Sequence, residues 1–194
     1  TLKAATPTFS IGSGSYSSAQ TVTISGTTSG ATIYYTTDGT TPTTSSTIYS
    51  SPITVSATET VKALAAETGY TTSAVQSATY TLKAATPTFS LATGNYSSAQ
   101  TVTISTTTSG ATIHYTTNGS TPLASSMVYS GPITVSATET VKALAVESGY
   151  TNSAIGSAKY TLMVATPTFS PAAGAYTSAQ TVTISSITPL ATIF

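Results

Sequence analysis

Across 194 residues this chain carries only five lysines, no arginine and five acids, for a formal net charge of zero. A surface so poor in cations cannot neutralise phosphates, which excludes a nucleic-acid partner. Cysteine is absent, so there is neither a disulfide framework nor a thiolate metal site.

The predicted elements are all strands. Residues 8–10 (T-F-S) form a short first one, and residues 21–25 (T-V-T-I-S) alternate apolar and hydroxyl side chains as a half-buried strand does. Residues 31–37 (A-T-I-Y-Y-T-T) alternate likewise and end at Asp38-Gly39, a dipeptide suited to positive φ. Pro42 confines the following Ser/Thr-rich stretch to a loop. Further strands are expected at 48–49, 52–55 and 60–65, then a turn at Gly69-Tyr70 and a closing strand over 74–82. Ser and Thr dominate the polar residues, yet apolar types make up 39% of the chain and are too regularly placed for a disordered segment. The abundance of β-branched residues with recurrent Gly, Ser and Pro argues against helix. No uncharged apolar run approaches the roughly 18 residues of a membrane span, and none reads as a signal peptide. Seven short strands between Thr8 and Leu82, with turn signals separating them, predict an all-β fold of immunoglobulin/fibronectin-like sandwiches.

The chain then repeats itself. Residues 1–10 return unchanged as 81–90 and, lightly edited, as 161–170; laying 1–80 over 81–160 leaves 19 differences. The expected organisation is a tandem array with an 80-residue period: repeat 1 over 1–80, repeat 2 over 81–160, and an incomplete repeat 3 over 161–194. Phe194 stands where Tyr34 and His114 stand in the earlier copies. The chain reads as part of something longer, so the third copy either continues or is completed by strands from a neighbouring subunit. Faithful copying of one unit builds length or valency rather than a single asymmetric active site.

Several strings resemble a known family. They are P-T-F-S at 7–10, G-x-Y-S-S-A-Q-T-V-T-I-S at 14–25, G-A-T-I-Y-Y-T-T-D-G-T-T-P at 30–42, Y-S-S-P-I-T-V-S-A-T-E-T-V-K-A-L-A at 49–65, and G-Y-x-x-S-A-V at 69–75. Together they resemble the chitobiase/β-hexosaminidase C-terminal-type repeat, most specifically over 31–42 and its copy 111–122. The resemblance implies a small Ig/fibronectin-like β-domain, often in tandem, in secreted or surface proteins of bacteria and archaea, and it points to the non-catalytic end of those enzymes. In the third copy Pro189-Leu190 replaces the Ser-Gly of Ser29-Gly30 and Ser109-Gly110, which removes a glycine suited to positive φ.

No residue set is expected to do chemistry. The one imidazole, His114, becomes Tyr34 and Phe194 in the other copies, unlike a catalytic base. Glu59 and Glu67, repeated as Glu139 and Glu147, are eight residues apart along a strand, about 26 Å at ~3.3 Å per residue. Glycoside chemistry needs roughly 5–10 Å. Asp38 becomes Asn118, which suits a turn and not calcium, and no acid cluster accompanies it. Serines are abundant, yet no G-x-S-x-G elbow presents one as a nucleophile. No catalytic residue, cofactor or metal is therefore expected. Asn95-Tyr96-Ser97 and Asn118-Gly119-Ser120 fit N-x-[ST], making Asn95 and Asn118 candidate glycosylation sites. By strand parity Ile33 and Tyr35 share one face and Tyr34 the other, so Tyr34, His114 and Phe194 are candidate exposed aromatic contacts for sugar stacking or packing.

Three functions remain: an extracellular stalk, fibre or filament of stacked repeats, a carbohydrate-binding or spacer module of a secreted glycoside hydrolase, and an adhesin stalk. Copies of itself are the expected partner, with glycans second. The structural role is the primary expectation, because the join at 78–87 passes from strand to strand with no Gly/Ser spacer.

Overall fold

The computed structural model describes residues 1–188 and 191–194; the Pro189-Leu190 replacement lies outside the described residues. All its regular elements are strands. In the first period these are β1 (Thr8–Phe9), β2 (Gly14–Tyr16), β3 (Gln20–Val22), β4 (Ile24–Ser25), β5 (Thr32–Thr36), β6 (Thr47–Ile48), β7 (Ile53–Val55), β8 (Glu59–Ala66) and β9 (Gln76–Leu82). One layer is a five-stranded sheet ordered β2-β9-β8-β5-β6, and the other consists of the pairs β3-β7 and β1-β4. Every pairing is antiparallel except β2 with β9, where Gly14 stands opposite Tyr80 and Tyr16 opposite Leu82.

Alternation explains the core. Val22, Ile24, Ile53 and Val55 point inward from the paired strands and meet Val61, Ala63, Ala78, Tyr80 and Leu82 of the sheet. The predicted inward positions Ile33 and Tyr35 pack against this core. Inside it Tyr80 is fully buried, and its hydroxyl donates to the Ile11 carbonyl at 2.8 Å, so no polar atom is stranded.

Two local features differ from the sequence expectation. The single strand at 21–25 is two strands, because the chain changes partner at Thr23: β3 pairs with β7, and β4 with β1. Ser10 bridges the break, its N–H donating to the Thr23 carbonyl and its Oγ accepting the Thr23 N–H, both at 2.9 Å. Strand β2 begins in the G-S-G-S stretch at 12–15, where no strand was expected. It extends because Ser13 Oγ takes the Thr79 N–H at 3.0 Å and the Tyr16 hydroxyl donates to the Gly12 carbonyl at 2.8 Å.

The second period repeats the plan: β10 (Thr88–Phe89), β11 (Gly94–Tyr96), β12 (Gln100–Val102), β13 (Ile104–Ser105), β14 (Thr112–Thr116), β15 (Met127–Val128), β16 (Ile133–Val135), β17 (Glu139–Val146) and β18 (Gly156–Leu162). Its sheet is ordered β11-β18-β17-β14-β15, with the pairs β12-β16 and β10-β13 opposite. The fold is thus a tandem of β-sandwiches of the immunoglobulin/fibronectin type. Beyond them, β19 (Thr168–Ser170) and β20 (Thr183–Ser185) pair with Phe169 opposite Ile184, as Phe9 stands opposite Ile24.

Spatially the chain forms two compact units. The first comprises Thr1–Thr86, Thr106–Thr112 and Ala145–Ala154; the second comprises Pro87–Ser105, Ile113–Leu144 and Ile155–Phe194. The first unit therefore holds three short pieces of the second sequence period, 81–86, 106–112 and 145–154.

Candidate functional surfaces

The three aromatic positions have three different environments. Tyr34 lies on the outer sheet face opposite Leu64 and is half-buried. With Gly30, Thr32, Ala66, Glu67 and Thr68 it borders an open depression of about 370 Å³. His114 does not offer the expected exposed ring: it is 8% exposed, and its Nδ1–H donates to the Ser126 carbonyl at 2.9 Å. The loop ahead of β15 causes this, since β15 pairs with β14 (His114 opposite Val128) and brings the Ser126 carbonyl onto the ring. Phe194 is fully exposed. Tyr34 and His114 thus do not present the same aromatic surface in the two complete copies.

Most tyrosines are structural. Tyr16 and Tyr80 pack at 6.2 Å between ring centroids, and Tyr35 and Tyr49 meet edge to face at 6.3 Å; Tyr96–Tyr160 and Tyr115–Tyr129 repeat both pairs. These contacts account for aromatics spread through the repeat rather than gathered on one patch.

Both candidate glycosylation residues are exposed, Asn95 on β11, an outer strand of its sheet, and Asn118 in the turn after β14. Asn118 Oδ1 accepts the Ser120 N–H at 3.0 Å and also its hydroxyl. In the first copy Asp38 does the same with Thr40. Thr40's hydroxyl, and then its N–H, hold the Asp38 carboxyl below the ordinary carboxylate range. Each side chain closes its turn before Gly39 or Gly119, both at φ 77°. That geometry is the turn role expected from the Asp/Asn exchange.

The carboxylates stay apart. Glu59 opens β8 and Glu67 follows its last residue, so the strand separates them. Burial pushes Glu59 and Glu139 above the ordinary range. Among the described residues no three His, Asp or Glu side chains gather as a metal site.

Within the first compact unit lies a sealed joint that the sequence did not reveal. The Thr108 hydroxyl accepts the Ala85 N–H at 2.8 Å and donates to the Ser17 carbonyl at 3.1 Å. Thr151 and the 82–84 segment exchange backbone bonds, Thr151 N–H to the Leu82 carbonyl at 2.8 Å and Ala84 N–H to the Thr151 carbonyl at 2.9 Å. Two residues earlier the Gly149 carbonyl accepts the Thr58 N–H at 2.9 Å, while Tyr150 packs against the first core. Leu82, Ala84 and Thr108 are all buried there. In the sequence Gly149-Tyr150 carries only a turn signal, since nothing local marks a turn as one that docks.

Comparisons with known proteins give a partial relative, loose structural matches and a family. An endoglucanase from Clostridium saccharobutylicum is 56% identical over 46 residues, which is 24% of this chain and 10% of the endoglucanase. The chain thus spans a small part of that relative's length. Among solved structures, the fibronectin(III)-like modules of Clostridium thermocellum CbhA match with a TM-score of 0.28 and 13% identity, over 80% of this chain and 93% of that one. The N-terminal four Ig domains of Dscam1 isoform 8.4 match with a TM-score of 0.34 and 8% identity, over 84% of this chain and 43% of that one. Superpositions this loose carry no argument, and the sandwich assignment rests on the strand order and core. The sequence model of the chitobiase/beta-hexosaminidase C-terminal domain matches residues 11–77 and 91–169, most of the chain, and the chain belongs to that family.

Proposed function

We propose that the chain is a non-catalytic spacer of an extracellular polypeptide, with periods 1–80 and 81–160 as its repeats and 161–194 opening a third. The observation that carries this reading is the joint in the first compact unit. The Thr108 hydroxyl donates to the Ser17 carbonyl and the Thr58 N–H to the Gly149 carbonyl, bonds between residues of two periods that a flexible tether would leave to solvent. A stiff connection passes position from one repeat to the next, which is what a stalk, fibre or filament requires. Copies of the same repeat are then the natural neighbours, and extracellular placement follows the secreted context of the family. Small-angle scattering of the chain tests this: one rigid conformation accounts for the curve if the joint holds, whereas a curve that needs a broad ensemble of orientations contradicts it.

A second reading is favoured by the endoglucanase match: the repeats serve as accessory modules of a glycoside hydrolase, with Tyr34 offered to a sugar ring. Co-sedimentation with insoluble cellulose or chitin is the check. Retention that disappears in Tyr34→Ala supports it, and a chain left entirely in the supernatant removes it.

A further inference from the structure

On the outer sheet face of the first repeat, β5 and the end of β8 border the open depression of about 370 Å³ beside Tyr34. That volume lies at the lower end of the roughly 300–1,000 Å³ typical of small-molecule sites. Both strands supply its chemistry. Thr32 stands opposite Ala66 and Tyr34 opposite Leu64, so parity puts Thr32 and Tyr34 on one face. Glu67, the residue after β8, adds a half-buried carboxylate whose position is set twice. Its Oε1 accepts the Thr68 N–H at 3.0 Å. Its Oε2 lies over Gly30, where an added Cβ would be 2.9 Å away. Gly30 also has φ 78°, so the glycine both turns the chain and leaves room for the carboxylate.

The second period keeps the carboxylate and changes the ring. A Cβ at Gly110, which has φ 81°, would lie 3.0 Å from Glu147 Oε2. Tyr34 is replaced there by His114, whose Nδ1–H is committed to the Ser126 carbonyl. Within the first compact unit Gly110, Thr112 and Ser148 are exposed and Glu147 is half-buried, as open as Gly30, Thr32, Thr68 and Glu67 or more so. The docking of Gly149 and Tyr150 beside them therefore leaves this corner uncovered, and the depression at Tyr34 does not depend on what lies next to it in the array.

We propose that Tyr34 and Glu67 form a binding site for one ring of a neutral oligosaccharide, made in the first repeat and lost from the second with its tyrosine. The inference rests on the accessory-module reading and deepens it. The apolar C–H face of a pyranose packs on the Tyr34 ring. Glu67 Oε2, an acceptor only, takes ring hydroxyls in charge-assisted bonds, and the Thr32 and Thr68 hydroxyls either donate or accept. The Glu67 charge disfavours an acidic sugar. One aromatic ring beside a small depression suits a single sugar unit, whereas a flat crystalline face calls for several exposed rings in line.

The test titrates the isotope-labelled 194-residue chain with cellotetraose and, separately, with N-acetylated chitotetraose, followed by NMR. Saturable shifts at the Gly30, Thr32 and Thr68 amides with either sugar, and none at Gly110, Thr112 and Ser148, are the expected result; the sugar that responds names the ring. Glu67→Gln keeps the side chain's shape and should weaken binding about tenfold or more, with the rest of the spectrum unchanged. No saturable shift with either oligosaccharide overturns the proposal. Equal affinity in Glu67→Gln, or shifts centred away from Tyr34, overturns it as well. The accessory-module reading outlives that failure if the chain still sediments with insoluble cellulose or chitin, and falls with it if the chain stays in the supernatant.

Discussion

The pentapeptide T-V-T-I-S occurs three times, at 21–25, 101–105 and 181–185, and the same five residues meet two different fates. Val22 and Val102 are 0% exposed, whereas Val182 is 56% exposed. Pairing to the local partner is preserved in every copy, since β4, β13 and β20 each take the T-F strand before them. The cover is what differs. In the complete copies it comes from strands much later in the chain, β7–β9 and β16–β18, while the described residues of 161–194 include no such strands. Local sequence sets the strand and its parity; distant sequence sets the burial.

Mutations that act on the cover break this comparison most strongly. Tyr80→Ala should cost about 3–5 kcal/mol, because it empties a large volume and strands the Ile11 carbonyl. Val182→Ala should change stability by less than about 0.5 kcal/mol. Urea titrations of the two variants measure the contrast, and equal effects would mean that Val182 is covered after all. A sharper pair is Gly149→Ala against Gly69→Ala, two equivalent turns with φ of 78° and 81°. A Cβ at Gly69 meets nothing within 4 Å, so only the backbone penalty of about 1 kcal/mol applies. At Gly149 overlap with Ala57 should add about 1–3 kcal/mol.

Thr108 and Thr28 make a smaller contrast. Thr28 Oγ1 accepts the Ala5 N–H at 2.7 Å, and Thr108 Oγ1 both accepts the Ala85 N–H and donates to Ser17. Thr108→Val should therefore cost more than Thr28→Val, about 1–3 kcal/mol against about 1 kcal/mol. The smallest effects depend on pH. Asp38 has a lowered folded value, so its contribution is present above the unfolded pKa and lost as pH falls through the folded one; Asp38→Asn removes that loss and makes the turn resemble Asn118. Glu59 and Glu139 have raised values, so their contribution is present below the unfolded pKa and lost as pH rises through the folded ones. Glu59→Gln should reduce the second dependence to the Glu139 part and leave the first. Stability curves across the carboxylate range separate them.

Much of the fold was legible because its signals are local. Alternation at 31–37, 52–55 and 60–65 placed β5, β7 and β8, and Asp38-Gly39 and Gly69-Tyr70 placed two turns whose glycines do take positive φ. Strand β2 was hidden, because a G-S-G-S stretch extends only when β9 is beside it. The aromatic reading of residue 34 and its counterparts separated for a similar reason: parity fixes the face, but the burial of His114 depends on the Ser126 carbonyl twelve residues away. The joint was least legible of all. Thr108, Gly149 and Tyr150 are ordinary strand and turn residues until the fold brings them to Ser17, Thr58 and Leu82.

Amide hydrogen exchange across the first compact unit tests the spacer account most directly. If the joint is sealed and stiff, the Thr58 N–H, which the Gly149 carbonyl accepts at 2.9 Å, exchanges as slowly as those of Val61 and Ala63 in the β8 core. Exchange of the Thr58 N–H at the rate of exposed loop residues, while β8 stays protected, would mean the repeats are joined by a hinge and would contradict the account.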